Sequence, residues 1–203
     1  MKYKNYLDEI LGRKSKVKVL RYLVKFNQGA SVRELSRRIG ATEPNLSVIL
    51  KELEKNGILV SQKYGTALVF KLNDGHYLVE KVVIPLFVQE QSAIDDLGHF
   101  IAKRLKTVFI SMIIFGSVAR RDEHPKSDLD IAFVVKDRST SEKIEQELLD
   151  LSPAIIKKFG NQISPYIIEK NDFIKKLKAN DPLIRSIFKE GRVLAGSLVT
   201  EIL

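Results

Sequence analysis

Two aspartates two residues apart, Asp128 and Asp130, open the otherwise apolar run Leu129-Asp-Ile-Ala-Phe-Val-Val135. In a strand, residues two apart face the same side, and at about 3.3 Å rise per residue they stand roughly 6–7 Å apart. Carboxylates so placed on an apolar strand are costly unless a cation compensates them. A divalent ion, or a pair of ions, is the natural compensation. The chain has no cysteine and only the scattered His76, His99 and His124, so a metal must sit on oxygen, which suits Mg²⁺ or Mn²⁺. Just upstream, Gly116-Ser117 follows the eight-residue apolar run Val108–Phe115, whose pattern predicts a buried strand. A glycine there lets backbone approach a ligand, the following N–H groups can cradle a phosphate, and the Ser117 hydroxyl can donate to one. The alternative is an exposed strand end, its acids paired to Arg120, Arg121 or Lys126.

The segment "FGSVARRDEHPKSDLDIAFVV" closely resembles the defining motif of the DNA polymerase beta-like nucleotidyltransferase superfamily: a hydrophobic residue, Gly-Ser, some ten residues, then Asp-x-Asp. The resemblance implies that Gly116 and Ser117 hold a triphosphate, with Arg120 and Ser127 as further nucleotide contacts. By the same resemblance Asp128 and Asp130 bind Mg²⁺ and are the catalytic pair. The implied reaction is in-line transfer of a nucleotidyl group, usually AMP from ATP, to an acceptor with loss of pyrophosphate. Some minimal members of that superfamily modify a partner toxin, so a protein acceptor is expected by resemblance. Active members also bring a third carboxylate from a neighbouring strand. The strand expected here, Gln162-Ile-Ser-Pro-Tyr-Ile-Ile-Glu169, holds Ser164, Pro165 and Tyr166 at its centre and no acid. Glu169 lies at its far end, Asp172 reads as the N-cap of the next helix, and Pro165 pushes the strand toward an edge. The second reading is therefore a regulator whose transferase domain binds nucleotide, or mediates dimerisation, without turnover.

The elements that must position these residues follow from periodicity. A helix at about 141–159, the strand at 162–169 and a closing "IRSIFKEGRVLAG" suit a small nucleotidyltransferase domain. Upstream, Ser15 is expected to cap a helix to about Phe26, and Ser31-Val-Arg-Glu34 reads as a capping box opening a short helix stopped by Gly40. Thr42 is expected to cap a third helix, with Pro44 tolerated in its first turn and Leu46, Ile49, Leu50 and Leu53 as its apolar stripe. Ile58–Lys63 and Ala67–Leu72 then flank the turn Tyr64-Gly65-Thr66. This is the winged helix-turn-helix order, and "SVRELSRRIGATEPNLSVILKELEKNGIL" resembles the small winged-helix regulators of bacteria and archaea. The resemblance implies double-stranded DNA as partner. Glu43, Asn45, Ser47 and Lys51 face the bases from the third helix, while Arg37, Arg38, Lys63 and Tyr64 are placed for phosphates.

Charge agrees with that division. Residues 1–75 hold 15 Lys and Arg against 7 Asp and Glu, a balance of +8 out of the chain's +9, which suggests a polyanion partner for that part. Residues 76 to about 106 read as a long helical connector that Pro85 should bend or break. Its first stretch, "YLVEKVVIPLFVQEQ", is nearly apolar all round and calls for burial between domains or in a homodimer. The expected chain is α+β: a winged helix-turn-helix domain at 1–75, the connector at 76–106 and a nucleotidyltransferase domain at 107–203. No signal peptide or membrane span is read from the sequence, so a cytoplasmic location is expected.

Overall fold

The computed structural model describes residues 5–120 and 128–202, with the main chain alone at Arg120. It falls into two compact units, residues 1–92 and 93–203, and the architecture is α+β.

The first unit begins with helices α1 (Tyr6–Leu11) and α2 (Lys14–Phe26), then β1 (Ala30–Ser31), α3 (Val32–Ile39), α4 (Glu43–Lys55) and the hairpin β2 (Leu59–Tyr64) and β3 (Ala67–Leu72). The sheet order is β1-β3-β2, antiparallel throughout. Gly65 takes φ +58° at the first position of the two-residue turn between Tyr64 and Ala67, a conformation glycine adopts without a Cβ penalty. Leu20, Leu23, Leu35, Leu46, Ile49, Leu50 and Leu53 form the core, so the apolar stripe expected for the third helix is the buried one. Ser15 does not cap its helix: α2 starts at Lys14 with Arg13 as N-cap. Ser15 therefore lies inside the first turn, and its neighbour Lys16 turns inward, donating to the Glu9 carbonyl at 2.6 Å and pairing with Glu52 at 2.8 Å. Ser31 does cap α3, accepting the Glu34 N–H at 3.3 Å, while the Glu34 carboxylate takes the Tyr22 hydroxyl at 3.1 Å. Thr42 stands at the N-cap of α4 without a side-chain cap bond.

Pro85 acts as expected, by a specific device. The chain makes a π-turn over Val79–Val83 and only then enters α5 (Ile84–Ala102). A proline has no N–H to give the carbonyl four residues back, and the wider turn absorbs that loss. Val79, Val83 and Phe87 are buried, but Leu86 and Val88 stay exposed, so the stretch is not buried all round within this chain.

The second unit carries β4 (Ser111–Ile114), α6 (Gly116–Arg120), β5 (Leu129–Val135), α7 (Arg138–Phe159), β6 (Ile163–Glu169), α8 (Lys170–Lys178), α9 (Pro182–Glu190) and β7 (Arg192–Gly196). Its sheet runs β6-β5-β4-β7, with β5 and β6 parallel and the other pairs antiparallel. Both sheet faces are covered. Ile131, Phe133 and Val135 join Ile144 and Leu148 on one side, and Ala132 and Val134 join Phe173, Ile184 and Ile187 on the other. Period-two alternation within β5 therefore feeds two cores at once.

Three expectations are corrected here. The buried strand is shorter than Val108–Phe115: β4 spans four residues, and Val108 is 85% exposed. The chain before it is tied down instead by Glu147 of α7, whose carboxylate accepts the Lys106 N–H at 2.8 Å and the Thr107 hydroxyl at 2.8 Å. Asp172 is no N-cap; it sits in the first turn of α8, which Glu169 precedes. The helix expected from 141 starts at 138, where Asp137 accepts the Thr140 N–H at 2.9 Å. Pro165 does lie on an edge strand, β6. Among the described residues no helix is long and apolar enough to cross a membrane.

Candidate functional site

The site in the second unit is built from the end of β4 and the start of β5. Because the two strands are antiparallel and Ile114 is opposite Ile131, the residues just past Ile114 meet those just before Ile131. The Phe115 N–H donates to the Asp130 carbonyl at 3.0 Å. Gly116 follows at φ +73°, and a Cβ built on it would lie 2.3 Å from Asp130 Oδ2. A side chain there would have to push the carboxylate aside, and the positive φ is itself one that glycine adopts most readily. Ser117, half-buried, is the next residue of α6.

Asp130 is half-buried and Asp128, one residue before the strand, is exposed. Ser127 lies outside the described residues, as does the side chain of Arg120. Across β5 and β6, Asp130 is opposite Ser164, Ala132 is opposite Tyr166, and Val135 is opposite Glu169. Glu169 is thus five residues along the sheet, about 16 Å from the level of Asp130. Among the described residues, no group of three or more His, Cys, Asp or Glu side chains comes together. The Asp130 carboxylate takes up the space that a side chain at Gly116 would fill, and carboxylate oxygen is the donor chemistry that suits a hard divalent cation. Asp130, with Asp128 two residues before it, offers the oxygen donor chemistry that a divalent cation would take.

In the first unit, α4 presents Glu43, Asn45 and Lys51 to solvent, with Ser47 half-buried. Arg37 and Arg38 on α3 and Lys63 and Tyr64 at the hairpin tip are exposed. Sequence reasoning missed Val48, 53% exposed on the same helix. Its position three residues beyond Asn45 puts both on one face of α4. It also missed the Lys16–Glu52 pair, which anchors α4 from behind and joins residues 36 positions apart.

Two family models match the chain. Residues 100–197 match the family described as polymerase beta, nucleotidyltransferase, and residues 13–60 match the winged helix-turn-helix DNA-binding family. A candidate protein adenylyltransferase of Methanocaldococcus jannaschii is 29% identical over 107 residues, 53% of this chain and 99% of that protein. Two solved structures are similar at a lower level. One is the homodimeric winged helix-turn-helix DNA-binding domain of a Mycobacterium bovis protein, 15% identical with a TM-score of 0.35, covering 47% of this chain and 89% of that one. The other is a toxin–antitoxin crystallised with AMP-PNP, 13% identical with a TM-score of 0.35, covering 53% and 82%. Neither structural likeness is close enough to bear on function. The chain joins an N-terminal winged helix-turn-helix domain to a C-terminal nucleotidyltransferase domain of the polymerase beta type.

Proposed function

We propose that this protein is a DNA-binding nucleotidyltransferase that transfers AMP from ATP, with Mg²⁺, to an acceptor that is itself a protein. The observation that carries the reading is the close approach of Gly116 to Asp130. It sets backbone and carboxylate at one point, where a nucleotide phosphate and a cation can be held together. Gly116 and Ser117 hold the triphosphate, with Arg120 and Ser127 beside it, and Asp128 and Asp130 hold the cation. When bound, the cation neutralises charge on the phosphate oxygens, and the rest of catalysis is positioning. The acceptor oxygen attacks the α-phosphorus in line, pyrophosphate leaves, and the acceptor proton passes to solvent or a nearby carboxylate. A protein acceptor is supported by the Methanocaldococcus jannaschii relative, which matches over nearly its whole length. The winged helix carries the enzyme to duplex DNA, and two chains act as a pair, covering Leu86 and Val88. In this reading the three segments keep the limits 1–75, 76–106 and 107–203.

The test is incubation with ATP labelled on the α-phosphate, Mg²⁺ and lysate of the native host. A labelled macromolecule supports transfer and supplies the acceptor; unlabelled lysate alongside measurable ATP binding refutes it.

One observation favours a second reading. The residues opposite Asp130, Ile131 and Ala132 on β6 are Ser164, Pro165 and Tyr166, none of them acidic. On that basis the protein is a winged-helix transcriptional regulator whose transferase domain binds nucleotide without turnover. ATP binding with no transfer to any acceptor is its signature.

A further inference from the structure

Away from the DNA-facing helix, the first unit has a groove of about 390 Å³ between α2 and α3, lined by Lys18, Arg21, Tyr22, Lys25, Phe26 and Arg38. Its floor is aromatic: the Tyr22 and Phe26 rings stand 4.7 Å apart at 44°, and Phe26 is 45% exposed. Its rim is basic. Arg21 is engaged by Glu90 through two hydrogen bonds, and the Glu34 carboxylate accepts the Tyr22 hydroxyl. Lys18 gives one hydrogen bond to the Ile39 carbonyl at 3.1 Å, leaving further donors on its ammonium. Lys25 stands over the Phe26 ring at 5.2 Å. After Arg21 is neutralised, Lys18, Lys25 and Arg38 still outnumber Glu34, so the groove keeps a positive balance over an exposed ring.

We propose that this groove is a binding site for a free mononucleotide, its base stacked on the exposed Phe26 ring with Tyr22 at its edge and its phosphate held by Lys18, Lys25 and Arg38. The chemistry is specific in three respects. An exposed aromatic floor takes any flat base. Ammonium and guanidinium groups at its rim bind phosphate by charge-assisted hydrogen bonds. The volume matches one small ligand rather than a strand of several. The site also touches α3, so an occupant adds its charge beside Arg38, one of the residues placed for DNA phosphates. Nucleotide occupancy then weakens duplex binding. This site is separate from Gly116 and Asp130 and does not rest on the transferase reading.

The test uses the full chain with AMP as probe, in EDTA so that no divalent cation supports the other site. Calorimetric titration is expected to show one AMP per chain. Lys25→Glu and Phe26→Ala, both at exposed positions, are each expected to weaken it at least tenfold, while the thermal transition stays in place. Photolabelling with 8-azido-AMP is expected to mark the peptide that contains Tyr22. Label confined to residues 93–203, or affinity unchanged in both variants, overturns the proposal. So does inorganic phosphate competing as well as AMP, which reduces the groove to an anion patch. A single-stranded oligonucleotide that loses affinity in both variants while AMP does not identifies a strand site and overturns it too.

Discussion

Gly116 packs against the Asp130 carboxylate: with Gly116 at φ +73°, a methyl group added to its Cα would come within 2.3 Å of Asp130 Oδ2. Gly116→Ala must therefore displace the carboxylate, and it also places a side chain in the left-handed region at a cost of about 1 kcal/mol. Expected is loss of nucleotidyl transfer with a folded protein whose duplex-DNA affinity is unchanged. The check is α-phosphate labelling beside a melting curve and a DNA titration. Full transfer activity in the alanine variant means that Asp130 does not hold the cation.

Ser164 is opposite Asp130 on the parallel neighbour β6. Ser164→Asp supplies a third carboxylate from that strand. If the site turns over, this variant is expected to transfer at least about tenfold faster at limiting Mg²⁺, equivalent to about 1.4 kcal/mol of barrier. Rates equal to those of the unaltered protein place β6 out of reach of the reacting atoms.

The winged helix separates two kinds of contact. Asn45→Ala, or Val48→Ser beside it, is expected to lower affinity for the preferred duplex by about 1–3 kcal/mol while sparing unrelated sequence. Arg37→Ala is expected to weaken all duplexes alike and to reduce the slope of log affinity against log salt by about 0.9. Mass measurement at micromolar concentration accompanies these titrations; a monomer that binds a two-fold operator fully removes the paired-chain reading.

Glu147 gives a pH-dependent contribution to stability. Partial burial raises its carboxyl pKa, but hydrogen bonds from the Thr107 hydroxyl and from the Thr107 and Lys106 N–H groups outweigh it and hold the pKa below the ordinary value. A depressed folded-state pKa stabilises above the unfolded value, about 4.3, and that gain is lost as pH falls through the folded value. Glu147→Gln is expected to cost about 1 kcal/mol at pH 7, the group being half-buried and screened by solvent, and to narrow its gap to the unaltered protein toward pH 3. A gap of constant size from pH 7 to pH 3 contradicts the assignment.

Much of this molecule is legible along the chain where the relevant signal is local. The stripe Leu46, Ile49, Leu50 and Leu53 defines α4, Gly40 and Gly57 take the left-handed turns that end two helices, and Gly-Ser with Asp-x-Asp marks the second unit. What sequence spacing hides is decided at a distance. Lys16 reaches Glu52 across 36 positions, and α2 starts at Lys14, one residue ahead of Ser15. Glu147 holds the chain at residues 106 and 107 from 40 positions away, which leaves Val108 exposed despite its apolar neighbours. The groove on α2 had a signal that composition alone obscured. Lys18, Arg21, Tyr22 and Lys25 recur at helical spacing, a basic and aromatic face beside the apolar one.

The most direct measurement compares the unaltered protein with Asp128→Ala/Asp130→Ala in two parallel assays: α-phosphate labelling of host lysate with Mg²⁺, and salt-dependent binding to duplex DNA. The expected result is labelling that disappears in the double variant while DNA binding and its salt slope remain. Labelling that persists without both carboxylates, or DNA binding lost together with it, contradicts a transferase site that works separately from the winged helix.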